Sequence, residues 1–246
     1  PPDREKPQAF LDIAALLHRL GLSAPEVLHA APQRGLILLE DFGDRTFTRA
    51  LAEGAGEAEL YALATEVLIA LQRGWSAELA RESGLPRYGD AEMVQEAELF
   101  LDWYLPAARR AEATAAERAA FREAWLQVLP EAGGLEDTLI LRDYHVDNLM
   151  VLEGRTGAAA CGLLDFQDAV LGSPAYDLVS LLEDARRDID PAVAKAMYGR
   201  YLEAFPSLDP VAFFAAAAVQ GAQRHTRVLG VFTRLYRRDG KAGYMR

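Results

Sequence analysis

Between two short apolar runs, 139–141 and 149–152, the sequence crowds Arg142, Asp143, His145, Asp147 and Asn148. A third apolar run, Cys161-Gly-Leu-Leu164, ends at Asp165. Carboxylate and carboxamide oxygens are hard ligands suited to magnesium. Asn148 and Asp165 supply such oxygens, and Asp143 is then left to orient a hydroxyl. This is equipment for phosphoryl transfer, where positioning and charge neutralisation matter more than a strong base. The same oxygens serve magnesium-dependent hydrolysis equally well, and a purely structural polar loop is a third reading. Asp165 ends a strand expected to be buried, where a carboxylate needs a metal or strong donors to offset its desolvation. His145 reads as a brace that satisfies buried carbonyls, with a catalytic acid as the alternative. Asp147 reads as a turn former, with metal binding as its alternative.

Loops of this kind need elements to hold them. Helical spacing of apolar residues predicts helices over 8–20, 57–71, 91–105 and 116–129. Two strands are expected at 25–30 and 36–40, followed by a glycine-containing hinge or linker at 41–44. Three very short strands are expected around 139–141, 149–152 and 161–164, the last two as a hairpin. Helices then resume over 175–184, 191–205 and 210–237, with Pro191 and Pro210 suited to first-turn positions. The expected fold class is α+β: a small strand-containing portion, 1–41, ahead of a mostly helical lobe, 42–246, that carries the polar loops.

The chain has 246 residues, 51% of them hydrophobic, which suffices for a core and excludes a mainly disordered protein. Its 37 acidic residues against 26 basic ones give a net charge of -11, which repels a phosphate backbone and argues against nucleic acid as a partner. The single cysteine, Cys161, rules out an intrachain disulfide and a cysteine-cluster zinc site, so a reduced, cytoplasmic setting is expected. Its apolar surroundings predict a buried, inert thiol. The opening PPDREKPQAF lacks the pattern of a secretory signal and reads as a chain entered partway. No apolar run reaches the length of a membrane span, so no membrane partner is expected. Nothing in the sequence sets an oligomeric state.

Arg142-Asp143, Asn148 and then Asp165-Phe166 together resemble the catalytic loop and metal-binding aspartate of the protein-kinase-like superfamily, in the branch of aminoglycoside phosphotransferases and choline kinases. Within that branch, LRDYHVDNLM, GLLDFQDAVLGSPAYDLVSLLEDARRD and AQRHTRVLGVFTRL look most like bacterial anomeric kinases of N-acetylmuramate and N-acetylglucosamine, which act in peptidoglycan recycling. The resemblance implies a two-lobed fold, ATP and magnesium as cofactors, and a small amino-sugar substrate. Other small-molecule kinases of the aminoglycoside, choline or homoserine type are the nearest alternatives, and a kinase-like nucleotide-binding module without turnover is the rival from another class.

By the same resemblance, Asp143 orients the sugar hydroxyl or takes its proton, and Asn148 and Asp165 hold magnesium. Asp177 braces the catalytic loop together with His145, although a carboxylate at a helix start is also favoured by the helix dipole alone. Leu39, Glu40, Asp41 and Phe42 form the inter-lobe hinge that meets the adenine. Asp184, Arg187 and Arg224 are candidates for the sugar pocket, a guanidinium being matched to an anionic substituent. A solvated helix end at Arg187 and helix–helix hydrogen bonding at Arg224 are the plainer readings. The resemblance further implies strands, a glycine-rich loop and a phosphate-pairing lysine ahead of Pro1, and the expectation is that the whole protein carries them. Gln167, where protein kinases have glycine, favours a small-molecule acceptor.

Overall fold

Helix α1 (Pro7–Arg19) buries Ile13, Ala14, Leu16 and Leu17, a helical stripe of the kind its sequence spacing predicts. In the computed structural model, which describes residues 7–245, it is followed by the antiparallel pair β1 (Val27–Ala31) and β2 (Leu36–Leu39), joined by a single helical turn at Pro32–Arg34. Leu28, Leu36 and Leu38 of this hairpin are exposed. Residues 40–45 have no regular structure. Helices α2 (Phe47–Ala52), α3 (Glu57–Gly74) and α4 (Ala77–Ser83) come next. The first and third begin where the Thr46 and Ser76 hydroxyls accept from backbone N–H groups one turn on.

The helix expected over 91–105 is broken. It comprises α5 (Asp90–Ala97), a π turn at Phe100–Tyr104 and α6 (Leu105–Arg109). Pro106 has no N–H and its ring crowds the preceding turn. The chain widens just ahead of it, with the Leu105 N–H donating to the carbonyl of Phe100, five residues back. Helix α7 (Ala115–Val128) opens on a capping box between Thr114 and Glu117.

Four three-residue strands follow: β3 (Thr138–Ile140), β4 (Leu149–Val151), β5 (Cys161–Leu163) and β6 (Val170–Gly172). They pair as nested antiparallel ladders. β4 and β5 form the expected hairpin, with Leu149 opposite Leu163, while β3 pairs with β6, with Ile140 opposite Val170. The helices α8 (Ala175–Leu182), α9 (Pro191–Ala204) and α10 (Pro210–Arg237) complete the chain. Asp190 and Asp209 cap the last two, and prolines occupy their first turns as expected. All residues of α8 are buried, including Asp177 and Ser180. Among the described residues no helix is long and apolar enough to cross a membrane.

The chain divides into two compact units. One comprises residues 1–87, 136–184 and 188–208, and the other 88–135, 185–187 and 209–246. In the first, α3 buries Leu60, Tyr61, Ala64, Val67, Leu68 and Leu71. In the second, α10 buries Phe213, Ala216 and Ala217, and its Gly230 lies so close to Leu99 that an added Cβ would stand 2.3 Å from the Leu99 carbonyl carbon. The boundary expected at 41/42 is a division of another kind, and it falls within the irregular stretch 40–45.

Candidate active site

The nested ladders decide where the polar loops go. Because β4–β5 and β3–β6 are both antiparallel, loop 141–148 and loop 164–169 leave the strands at the same end. Asn148 closes the gap between them. Its amide nitrogen donates to the backbone carbonyl of Asp143 at 2.9 Å and stands 3.4 Å from a carboxylate oxygen of Asp165 and from Nε2 of His145. The Leu164 N–H returns a bond to the Asn148 carbonyl at 3.0 Å. The structure thus brings Asp143, His145, Asn148 and Asp165 together.

Loop 141–148 is held from beneath. The two carboxylate oxygens of Asp177 accept from the N–H groups of Leu141 at 2.6 Å and Arg142 at 2.9 Å. Arg142 takes a left-handed conformation, φ 69°, which side chains other than glycine adopt at a cost of roughly 1 kcal/mol. The Ser180 hydroxyl donates to the Arg142 carbonyl at 3.4 Å. Tyr144 reaches from the loop into α3 and donates to the Ala64 carbonyl at 2.8 Å. Burial, reinforced by the negative charge of Asp177, pushes its phenol far above the ordinary range and keeps it a donor.

Loop 164–169 is more open. The strand β5 is buried as expected, but Asp165 is exposed, so desolvation does not call for a cation there. The strand stops at Leu163, and the left-handed turn at Asp165, φ 58°, carries the carboxylate out of the ladder. The Gln167 amide donates to it at 2.7 Å, and the neighbouring Phe166 is buried, its ring stacked on that of Phe10 in α1 at 4.9 Å. Cys161 is a free, buried thiol whose pKa is raised by burial. Asp147 accepts a short hydrogen bond from the Thr48 hydroxyl.

Residues 40–45 line a cavity of roughly 340 Å³ together with Val151, Leu152, Glu153 and Arg155, and Leu39, the last residue of β2, is not part of its wall. The Phe42 ring lies against Gly162, where an added Cβ would stand 2.8 Å from two ring carbons, so only glycine fits beside it.

The model of the phosphotransferase enzyme family matches residues 1–214. This chain belongs to that family. Its relatives include two bacterial proteins named N-acetylmuramate/N-acetylglucosamine kinase. The one from Caulobacter vibrioides is 41% identical over 242 residues, spanning 96% of this chain and 66% of the relative. The one from Neisseria meningitidis serogroup B is 34% identical over 253 residues, spanning 99% of this chain and 72% of the relative. This phosphotransferase-family chain therefore covers about two thirds of their length. Its fold is that of the GDP complex of wild-type aminoglycoside 2'-phosphotransferase-IIIa, with a TM-score of 0.63 at 14% identity over 96% of this chain and 77% of the other.

The remaining predicted positions of this family member are spread across both units. Asp184 is buried in the first unit, whereas Arg187, exposed, and Arg224, buried on α10, belong to the second. The sequence reading did not single out Tyr144, Gly162, Phe10 or Arg155. Tyr144 had a signal, as the one aromatic side chain in a polar loop. The others act through partners far away in the chain, and nothing local marks them.

Proposed function

We propose that the protein transfers the γ-phosphoryl group of ATP to the anomeric hydroxyl of an amino sugar, N-acetylmuramate or N-acetylglucosamine, in peptidoglycan recycling. The observation that carries this reading is the 41% identity to the Caulobacter protein of that name over 96% of this chain. Asp143 takes or orients the proton of the attacking hydroxyl, the sugar oxygen bonds to the γ-phosphorus, and ADP leaves.

The residues present suit magnesium. Asn148 donates its amide nitrogen to the Asp143 carbonyl, which leaves its Oδ1 as the ligand atom, and Asp165 offers an exposed carboxylate with one oxygen 3.4 Å from that nitrogen. Among the described residues no group of three or more His, Cys, Asp and Glu side chains is placed to hold a metal. A small oxygen set matches a cation that keeps waters and substrate phosphates in its shell. When bound, the ion neutralises phosphate charge. His145 and Asp177 support the loop, segment 39–42 contacts the base, and Asp184, Arg187 and Arg224 contribute to the acceptor side.

Phosphorus NMR on the full-length protein with ATP, magnesium and each sugar tests this. A sugar 1-phosphate signal is expected, and its absence with both sugars overturns the acceptor assignment. A parallel panel of aminoglycosides, choline and homoserine shows whether a neighbouring acceptor class takes its place. Asp143→Asn should lower turnover roughly 10³-fold while nucleotide affinity, followed by calorimetry, stays near wild type.

A further inference from the structure

Arg155 lies in the turn between β4 and β5, outside every motif considered above, and its guanidinium meets three partners from the front of the chain. One terminal nitrogen donates to the Ser23 hydroxyl at 3.0 Å. The other forms a short ion pair with Glu40. The planar group stands over the Phe42 ring, with Cζ 5.3 Å from the ring centroid. Each partner is itself fixed. The Ser23 hydroxyl donates to the Ala159 carbonyl at 2.7 Å, and the Ser23 carbonyl accepts from the Leu163 N–H at 2.8 Å. The second Glu40 oxygen accepts from the Glu26 N–H at 3.2 Å, and the Phe42 ring is seated on Gly162.

We infer that Arg155 is a positioning residue for the nucleotide: it staples segment 40–42 to the β4–β5 hairpin and so sets that segment against the strands from which the loops bearing Asn148 and Asp165 emerge. The inference rests on the reading of segment 39–42 as the base-contacting hinge. A guanidinium is suited to the task because its separate N–H groups reach a hydroxyl and a carboxylate while its face covers an aromatic ring. A lysine ammonium is a point charge and cannot make all three contacts in this geometry. Backbone bonds hold only the ends of segment 40–45, the Glu40 N–H donating to the Glu26 carbonyl at 2.8 Å and the Val151 N–H donating to the Arg45 carbonyl at 2.9 Å, so side-chain ties of this sort position the residues between them. The inferred role differs from that of Asp177, which supports the loop bearing Asp143 and not the segment at 40–42.

Two measurements on the full-length protein test the staple, with Arg155→Ala and Arg155→Lys. In hydrogen exchange without nucleotide, the amides of residues 40–43 should exchange faster in Arg155→Ala, while those of 141–148 keep wild-type protection; unchanged exchange at 40–43 overturns the staple. In steady-state kinetics, Arg155→Ala should raise the KM for ATP about tenfold, equivalent to about 1.4 kcal/mol, with kcat and the sugar KM within about twofold of wild type. Arg155→Lys should fall between the two. An unchanged ATP KM in an active enzyme overturns the role, and equal losses in kcat and both KM values assign Arg155 to general stability instead. Faster exchange at 40–43 in a protein whose wild type neither binds nor uses a nucleotide confirms the tie but overturns the assignment of its role, and it locates the failure in the hinge reading.

Discussion

Loop 141–148 and segment 40–43 are both irregular backbone, and they are held by opposite means. The loop rests on Asp177, 3% exposed, which receives two backbone N–H groups inside the core. The segment is tied by Arg155 and Glu40, whose side chains are 36% and 30% exposed. A hydrogen bond to a charged group contributes about 1.5–3 kcal/mol, and its loss in the interior strands the donor. A solvent-accessible ion pair contributes about 0–1 kcal/mol. The part of the molecule that carries the proposed chemistry is thus fixed by the core, and the part proposed to meet the nucleotide base is fixed from the surface and remains adjustable.

The strongest test of this contrast is Asp177→Ala. It leaves the Leu141 and Arg142 N–H groups without their acceptor and releases the left-handed turn at Arg142, so stability in urea should fall by about 3 kcal/mol. A loss below about 1 kcal/mol would make the buried tie no stronger than a surface one. Gly162→Ala is intermediate. Its new methyl group meets the Phe42 ring and the Met150 Cβ, and overpacking of this kind costs about 1–3 kcal/mol. Wild-type stability in this variant would show that the ring moves freely and that segment 40–43 is looser than its contacts imply.

The smallest effect is expected at Glu117, at the start of α7. The Arg109 guanidinium, followed by the Thr114 N–H and hydroxyl, holds this carboxyl well below the ordinary range, yet the side chain is exposed to solvent. Glu117→Ala should therefore shift the thermal midpoint least of the three. A depressed carboxyl pKa stabilises the fold above its unfolded value, near 4.3, and that contribution fades as pH falls toward the folded value. The wild-type advantage should accordingly be present at pH 7 and shrink below pH 4 in thermal melts. A difference that does not change with pH would mean packing, not charge, links Glu117 to the helix.

Much of the first region was legible in the sequence because its determinants are local. The polar types at 142–148, the apolar runs on either side and the Pro174-Ala-Tyr-Asp stretch lie within 40 residues of one another. Other local features hid themselves. β6 has three residues and runs into Gly-Ser-Pro, so its strand character was outweighed by turn signals, and its pairing with β3 was unseen. Helices α2 and α4 are too short to show a periodicity. The helix over 91–105 matched a periodic pattern, but Pro106 forced a π turn that periodicity does not register. Asp165 was expected to be buried because its strand is, and a left-handed φ cannot be read from an aspartate. The staple at Arg155 was illegible for another reason: its partners Glu40 and Ser23 are 115 and 132 residues away.

That nested pair of ladders also bears on how the chain reaches its native state. The bonds from Leu141 and Arg142 to Asp177 close loops of 36 and 35 residues, whereas the Arg155–Glu40 tie closes one of 115. The entropy of loop closure grows with the logarithm of length, and the longer closure costs about 1 kcal/mol more. Contacts of short sequence separation form early, and long ones wait for them. Stretch 138–182 is therefore the expected nucleus on which the front of the chain condenses. In a φ-value experiment, substitutions at Leu139 and Leu163 should slow folding, while those at Phe42 and Arg155 should mainly speed unfolding.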